Sequence, residues 1–171
     1  KLLQWYSEND RLSKVISLIN GETSISLRII DWFVTNYSKK YYTVYDINDN
    51  GTKRRFKVYV DYKLKLKAYS KKRFDPFCRW DRITIPYKND TAIQTTIGQL
   101  NFFKWCIEKN ILKYIEDNYT AIENDMNNRN STAKKRDIKD KKKTRKKREE
   151  LSVSATKSIK KEKVEIVVKF D

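Results

Sequence analysis

From Lys134 to Arg148 the chain carries Lys134, Lys135, Arg136, Lys139, Lys141, Lys142, Lys143, Arg145, Lys146, Lys147 and Arg148 against Asp137 and Asp140, and Ile138 is its one sizeable apolar side chain. A segment with so little to bury cannot offset the entropy of ordering itself, so it supplies no core. The fold has to come from what precedes it. The expected organisation is a globular domain over residues 1–130, a basic arm or linker over 131–150, and a tail over 151–171 that carries a terminal β-strand.

Inside the domain the charge is also localised. Residues 1–52 balance, six basic against six acidic. Residues 53–88 hold Lys53, Arg54, Arg55, Lys57, Lys63, Lys65, Lys67, Lys71, Lys72, Arg73, Arg79, Arg82 and Lys88 against Asp61, Asp75 and Asp81 alone. This block differs in kind from the arm. Phe56, Val58, Tyr59, Val60, Tyr62, Leu64, Leu66, Tyr69, Phe74, Phe77 and Trp80 are interleaved with its cations, so they ride on a segment that can fold. The net charge of +17 is the work of these two blocks, and so concentrated an excess points to an anionic partner rather than to a fold.

Periodicity gives an α+β expectation: a small helical domain with an antiparallel hairpin, plus the basic C-terminal arm. Leu2, Leu3, Tyr6, Leu12, Val15, Ile16 and Ile19 predict a helix interrupted near Asn9 and Asp10 and stopped by Asn20-Gly21. A second helix is expected over about 24–38, capped by Ser24. With Arg28, Lys39 and Lys40 as its only cations, the pair reads as a packing αα corner rather than a DNA-reading helix-turn-helix. Residues 41–62 predict a hairpin, Tyr41 to Ile47 and Arg55 to Tyr62 around Asn48-Asp49-Asn50-Gly51; residues 63–69 suit strand or helix. Asp75-Pro76 marks a turn, 82–85 a short strand ended by Pro86, and 88–90 a loop. From Thr96, the residues Leu100, Phe103, Ile107, Ile111, Leu112 and Ile115 predict a helix that breaks near Asn110 and resumes through Met126. Val164 to Phe170 is β-prone and is expected to add an edge strand or to dock on another molecule. No run of 18 apolar residues occurs, so no membrane span is expected.

Much chemistry is excluded by absence. There is no histidine and only Cys78 and Cys106, which removes Cys-and-His zinc frameworks and His-based acid–base catalysis. Gly21, Gly51 and Gly98 cannot build a phosphate-cradling loop. No cofactor, resident metal or enzymatic activity is expected. The remaining enzymatic route is a magnesium nuclease built on Asp46 and Asp49; the pairs Glu116–Asp117 and Glu123–Asp125 read as a solvated helix face. Cys106 reads as core. Cys78 has cationic neighbours that would favour a thiolate, but no base to take its proton, and reads as structural.

What is left is electrostatic. Lys and Arg gain affinity for polyphosphates by releasing counterions, and aromatic rings among them can stack on exposed bases. The competing reading makes Phe56, Tyr62, Phe74, Phe77 and Trp80 core residues and leaves only cations outside. For the arm, nucleic acid competes with an acidic protein surface and with an import receptor. Phosphate contacts position a protein without reading bases, so no sequence-specific readout is expected.

The stretches Asp61-Tyr62-Lys63-Leu64-Lys65-Leu66-Lys67-Ala68-Tyr69-Ser70-Lys71-Lys72-Arg73-Phe74-Asp75-Pro76-Phe77-Cys78-Arg79 and Thr96-Ile97-Gly98-Gln99-Leu100-Asn101-Phe102-Phe103-Lys104-Trp105 resemble a small basic protein of undefined function from nucleocytoplasmic large DNA viruses. The likeness covers about residues 55–130 and the Lys-rich tail. It brings no catalytic motif; it implies residence in the virion or the host cytoplasm, in a virus factory, with the nucleus also open, near packaged or replicating DNA. The resulting expectation is a protein that binds nucleic acid, DNA before RNA, without sequence specificity, through a fixed face from Lys53 to Arg82 and a clamp from Lys134 to Arg148. The alternative is a minor capsid or scaffold component whose tail docks on other subunits.

Overall fold

The computed structural model describes residues 1–49, 51–79, 81–88, 91–137 and 160–163. The first helix is interrupted as expected: α1 (Leu2–Ser7), a 3-10 turn (Glu8–Asp10) and α2 (Arg11–Ile19). Asn9 and Asp10 adopt left-handed φ values of 53° and 54°, a conformation these two residue types tolerate. The next helix, α3 (Leu27–Trp32), continues through a π-turn (Phe33–Tyr37) into α4 (Ser38–Lys40). Its cap is Ser26 rather than Ser24: the Ser26 hydroxyl accepts from the Ile29 N–H at 3.3 Å. Leu27 and every residue from Ile29 to Thr35 are buried, so this helix has no free face to enter a groove.

The hairpin forms, but shorter than expected. β1 (Val44–Asp49) pairs antiparallel with β2 (Thr52–Lys57), Asp49 opposite Thr52, and Gly51 turns the chain at φ 82°. The strand expected to reach Tyr62 ends at Lys57, and Val58–Tyr69 is helix α5. Two periods competed here. Alternation would set Val58, Val60, Tyr62, Leu64 and Leu66 on one side; the helical step instead turns Val58, Asp61, Tyr62, Lys65 and Leu66 toward the protein and leaves Val60 and Leu64 outside. A short helix α6 (Lys71–Phe74) follows.

The second sheet has the order β3 (Arg82–Tyr87), β4 (Thr91–Thr96), β5 (Lys160–Lys163). β3 (Arg82–Tyr87) runs past Pro86, which a sheet edge tolerates because no partner needs its N–H. β4 (Thr91–Thr96) is an addition to the sequence reading. It lacks alternation because Ala92, Ile93, Thr95 and Thr96 bury both of its faces. β5 (Lys160–Lys163) pairs antiparallel with β4, so the chain does return to the sheet. The strand expected over 164–170 lies outside the described residues. Thr96 caps α7 (Ile97–Glu108) by accepting from the Gln99 N–H at 3.1 Å; a left-handed Asn110 then separates it from α8 (Ile111–Asp117), and α9 (Tyr119–Asp137) follows.

One apolar cluster joins these elements. Trp32, Phe33 and Ile30 of the α3 region meet Leu100, Phe103 and Cys106 of α7, Ile111 and Ile115 of α8, and Ile122 of α9. An aromatic cluster extends it: Phe56, Tyr62, Phe74, Phe102 and Trp105 have ring centroids 5.6–6.3 Å apart. It anchors β2, α5 and α6 on α7. These are the three elements that carry most of the first basic block. At Gly98 the α6 backbone comes so close that a Cβ would sit 2.8 Å from the Asp75 carbonyl oxygen.

Candidate nucleic-acid interface

The aromatic residues of the basic block divide: Tyr69 is 43% exposed, whereas most of the rings that the competing reading makes core turn inward. Phe56, Tyr62 and Phe74 are buried and Phe77 is half-buried; Trp80 lies outside the described residues. The cations go the other way. Lys53, Arg54, Arg55 and Lys57 are exposed on β2, Lys63 and Lys67 on α5, Lys71, Lys72 and Arg73 on α6, and Arg79 and Arg82 around the start of β3; Lys65 is half-buried.

The three acidic residues of the block leave most of that charge standing. The Asp61 carboxylate accepts the Trp105 indole N–H at 2.6 Å, a bond directed into the aromatic cluster. Asp75 accepts the Phe77 N–H at 2.9 Å and meets Lys71 at 3.8 Å, whereas Asp81 is exposed in the loop before β3. Asp49, from outside the block, meets Lys109 at 3.4 Å and Arg54 at 3.8 Å. The Arg54 and Lys71 pairs, each with a solvated cation at 3.8 Å, contribute at most about 1 kcal/mol and are screened by salt.

Geometry brings part of the block together. A depression of about 190 Å³ is lined by Arg54, Arg55, Lys57 and Lys109, by the carboxylates of Asp49 and Asp61, and by Val60 and Leu64. On the other side of Val60 and Leu64, Tyr59, Lys63, Leu66 and Lys67 line a second and shallower groove of about 560 Å³. Val60 and Leu64 thus form an apolar ridge with cations on both flanks. The α6 cations follow beyond Ser70, and Arg82 donates to the Gln94 side chain at 2.9 Å on the second hairpin. The side chains of Lys134, Lys135 and Arg136 and all of Lys141, Lys142, Lys143, Arg145, Lys146, Lys147 and Arg148 lie outside the described residues.

Sequence reasoning missed the exposed rings. Tyr42 is 65% exposed and Tyr41 53%, directly after Lys39-Lys40. Lys57 Nζ lies 5.8 Å from the Tyr42 ring centroid and Lys39 Nζ 5.6 Å from that of Tyr59. The Tyr41-Tyr42 doublet beside two lysines was the available signal, and the hairpin assignment absorbed it.

Two further expectations need correction or placement. Asp125 does not belong to a solvated helix face: its side chain is 9% exposed and accepts from Lys40, from the Trp32 indole at 3.0 Å and from the Tyr41 hydroxyl at 3.2 Å. Burial alone would raise its carboxyl, but the Lys40 hydrogen bond, aided by those of Trp32 and Tyr41, holds it below the ordinary 3.8. It ties α4 to α9. Asp46 and Asp49 are three residues apart on β1 and so point to opposite faces of the hairpin. Cys106 is buried, which pushes its thiol up, and both cysteines are free.

The chain is therefore an α+β protein whose first basic block is displayed on a rigid aromatic underlayer. It belongs to the family of unknown function DUF7197, whose model matches residues 1–168. Over 117 residues it is 47% identical to the uncharacterized protein L507 of Acanthamoeba polyphaga mimivirus, a match covering 66% of this chain and 45% of that protein. The matched region thus spans less than half of the relative's length. That virus is a nucleocytoplasmic large DNA virus, the group to which the resemblance had pointed. No solved structure matches the chain.

Proposed function

We propose that this protein binds nucleic acid without sequence specificity, DNA before RNA, as a component associated with a viral genome in the virion or virus factory. The observation that carries the reading is the two-sided array of Arg54, Arg55, Lys57, Lys63 and Lys67 on β2 and α5, which together with Lys109 outnumber the Asp49 and Asp61 carboxylates in the lining of the two grooves. Fixed cations at a surface release counterions from a polyphosphate, so affinity falls with salt by a slope of about −0.9 per phosphate neutralised on a duplex. The reading gives the basic run Lys134 to Arg148 the role of a second contact on the same polyanion.

The test is affinity for a duplex of mixed sequence, measured by fluorescence anisotropy at rising salt. A steep linear fall of log affinity with log salt is expected. Changing Arg55, Lys63 and Lys67 together to Glu should flatten the slope by about 2 to 3 units, as expected for about three lost phosphate contacts. A flat wild-type plot removes the reading.

A further inference from the structure

Val60 and Leu64 are one helical turn apart on α5, 45% and 59% exposed, although the aromatic cluster and the Asp61–Trp105 bond would permit polar residues at both. Leu3, Tyr41, Tyr42 and Tyr69 are exposed as well, but Val60 and Leu64 share one helix face with cations lining the grooves on either side of them. A second irregularity stands beside them. Tyr42 has a left-handed φ of 49°, a conformation that a bulky side chain rarely adopts, and its ring is 65% exposed next to Lys57, which borders the same ridge. Backbone strain that holds an aromatic ring out in solvent is the kind of outlier from which function is inferred.

An occupant of this surface needs an apolar flat face and negative charge in alternation. A duplex offers its phosphates but keeps its base faces stacked inside. An acidic peptide matches the lysines but has no flat ring at each step. An unpaired strand supplies both, its bases to the ridge and rings, its phosphates to Arg55, Lys57, Lys63 and Lys67. We propose that Tyr42 and the Val60–Leu64 ridge form a base-stacking platform that makes this surface selective for single-stranded over duplex nucleic acid. The proposal rests on the nucleic-acid reading above and narrows its ligand.

The experiment compares the full chain with three variants, Tyr42→Asn, Tyr42→Phe and Leu64→Gln. Asn tolerates the left-handed backbone without the ring, Phe keeps the ring, and Gln preserves helix propensity; both sites are exposed, so the core is untouched. Labelled oligothymidylate of about 20 nucleotides, a duplex of about 20 base pairs and polyglutamate are the probes, at one salt concentration. The single strand is expected to bind about tenfold tighter than the duplex. Tyr42→Asn and Leu64→Gln should erase that difference while leaving duplex binding unchanged, and Tyr42→Phe should keep it. Equal affinity for both forms, or a parallel loss of both in the variants, overturns the platform while leaving the nucleic-acid reading intact. Polyglutamate binding with the same dependence on Tyr42 and Leu64 overturns it in favour of an acidic protein partner. A dimer that Leu64→Gln converts to monomer, with single-strand binding unaltered, overturns it in favour of self-association. Binding of neither nucleic acid removes both proposals.

Discussion

Individual side chains decide how much charge this surface keeps. Asp61 is the instructive one: its carboxylate accepts the Trp105 indole N–H at 2.6 Å, which fixes its negative charge at one edge of the cationic depression and ties α5 to α7. Gly98 is equally specific. A Cβ there would meet the Asp75 and Lys72 carbonyl oxygens at 2.8 and 3.0 Å, and backbone cannot swing aside as a side-chain tip can. Gly98→Ala should therefore cost about 1–3 kcal/mol through overpacking, read as a lowered urea midpoint with unchanged slope. Asp125 predicts a pH effect. Its folded carboxyl titrates below the 3.8 of the unfolded chain, so the unfolded state binds more protons between the two values. The stabilisation is present above about pH 4 and is lost as pH falls through the folded value. Asp125→Asn should lower stability at neutral pH and flatten the stability–pH curve on the acid side; an unchanged acid limb in thermal melts would count against the Lys40–Asp125–Trp32 link.

Among the elements, α5 shows where local pattern stops being sufficient. Phe56 to Leu66 satisfies the two-residue period of a strand and, from Val58, the three- and four-residue steps of a helix. What settled it was Tyr62 entering a ring cluster with Phe74, Phe102 and Trp105, partners 12 to 43 residues away. The helix beginning after Thr96 had no such competitor: start, period and the break at Asn110 were all legible locally. β4 was hidden for the opposite reason, since a strand covered on both faces shows no alternation. Between α5 and α6, Ser70 sits at φ 65°, ψ 159°, a region that suits glycine almost alone. Ser70→Gly should raise stability by about 1 kcal/mol in chemical denaturation, and a loss instead would mean that the serine side chain contributes more than its strain costs.

Over the whole molecule, charge is partitioned rather than spread. The α3 region, α7 and α8 supply the core, while the cations of residues 53–82 occupy elements laid on its outside. If the arm grips the same polyanion, changing Lys141, Lys142, Lys143, Arg145, Lys146, Lys147 and Arg148 to Gln should flatten the salt slope further, adding to the effect of the Arg55, Lys63 and Lys67 reversal. A slope that ignores the arm would confine binding to the folded face. Composition and local period were enough for the α+β class, the two basic blocks and the helix after Thr96, because each depends on near neighbours along the chain. Which side of α5 meets water, where Asp61 and Asp125 turn, and that Tyr42 rather than Tyr62 stands exposed were settled only by packing, because the rotation of a helix about its axis follows from every group it touches at once, most of them distant in sequence.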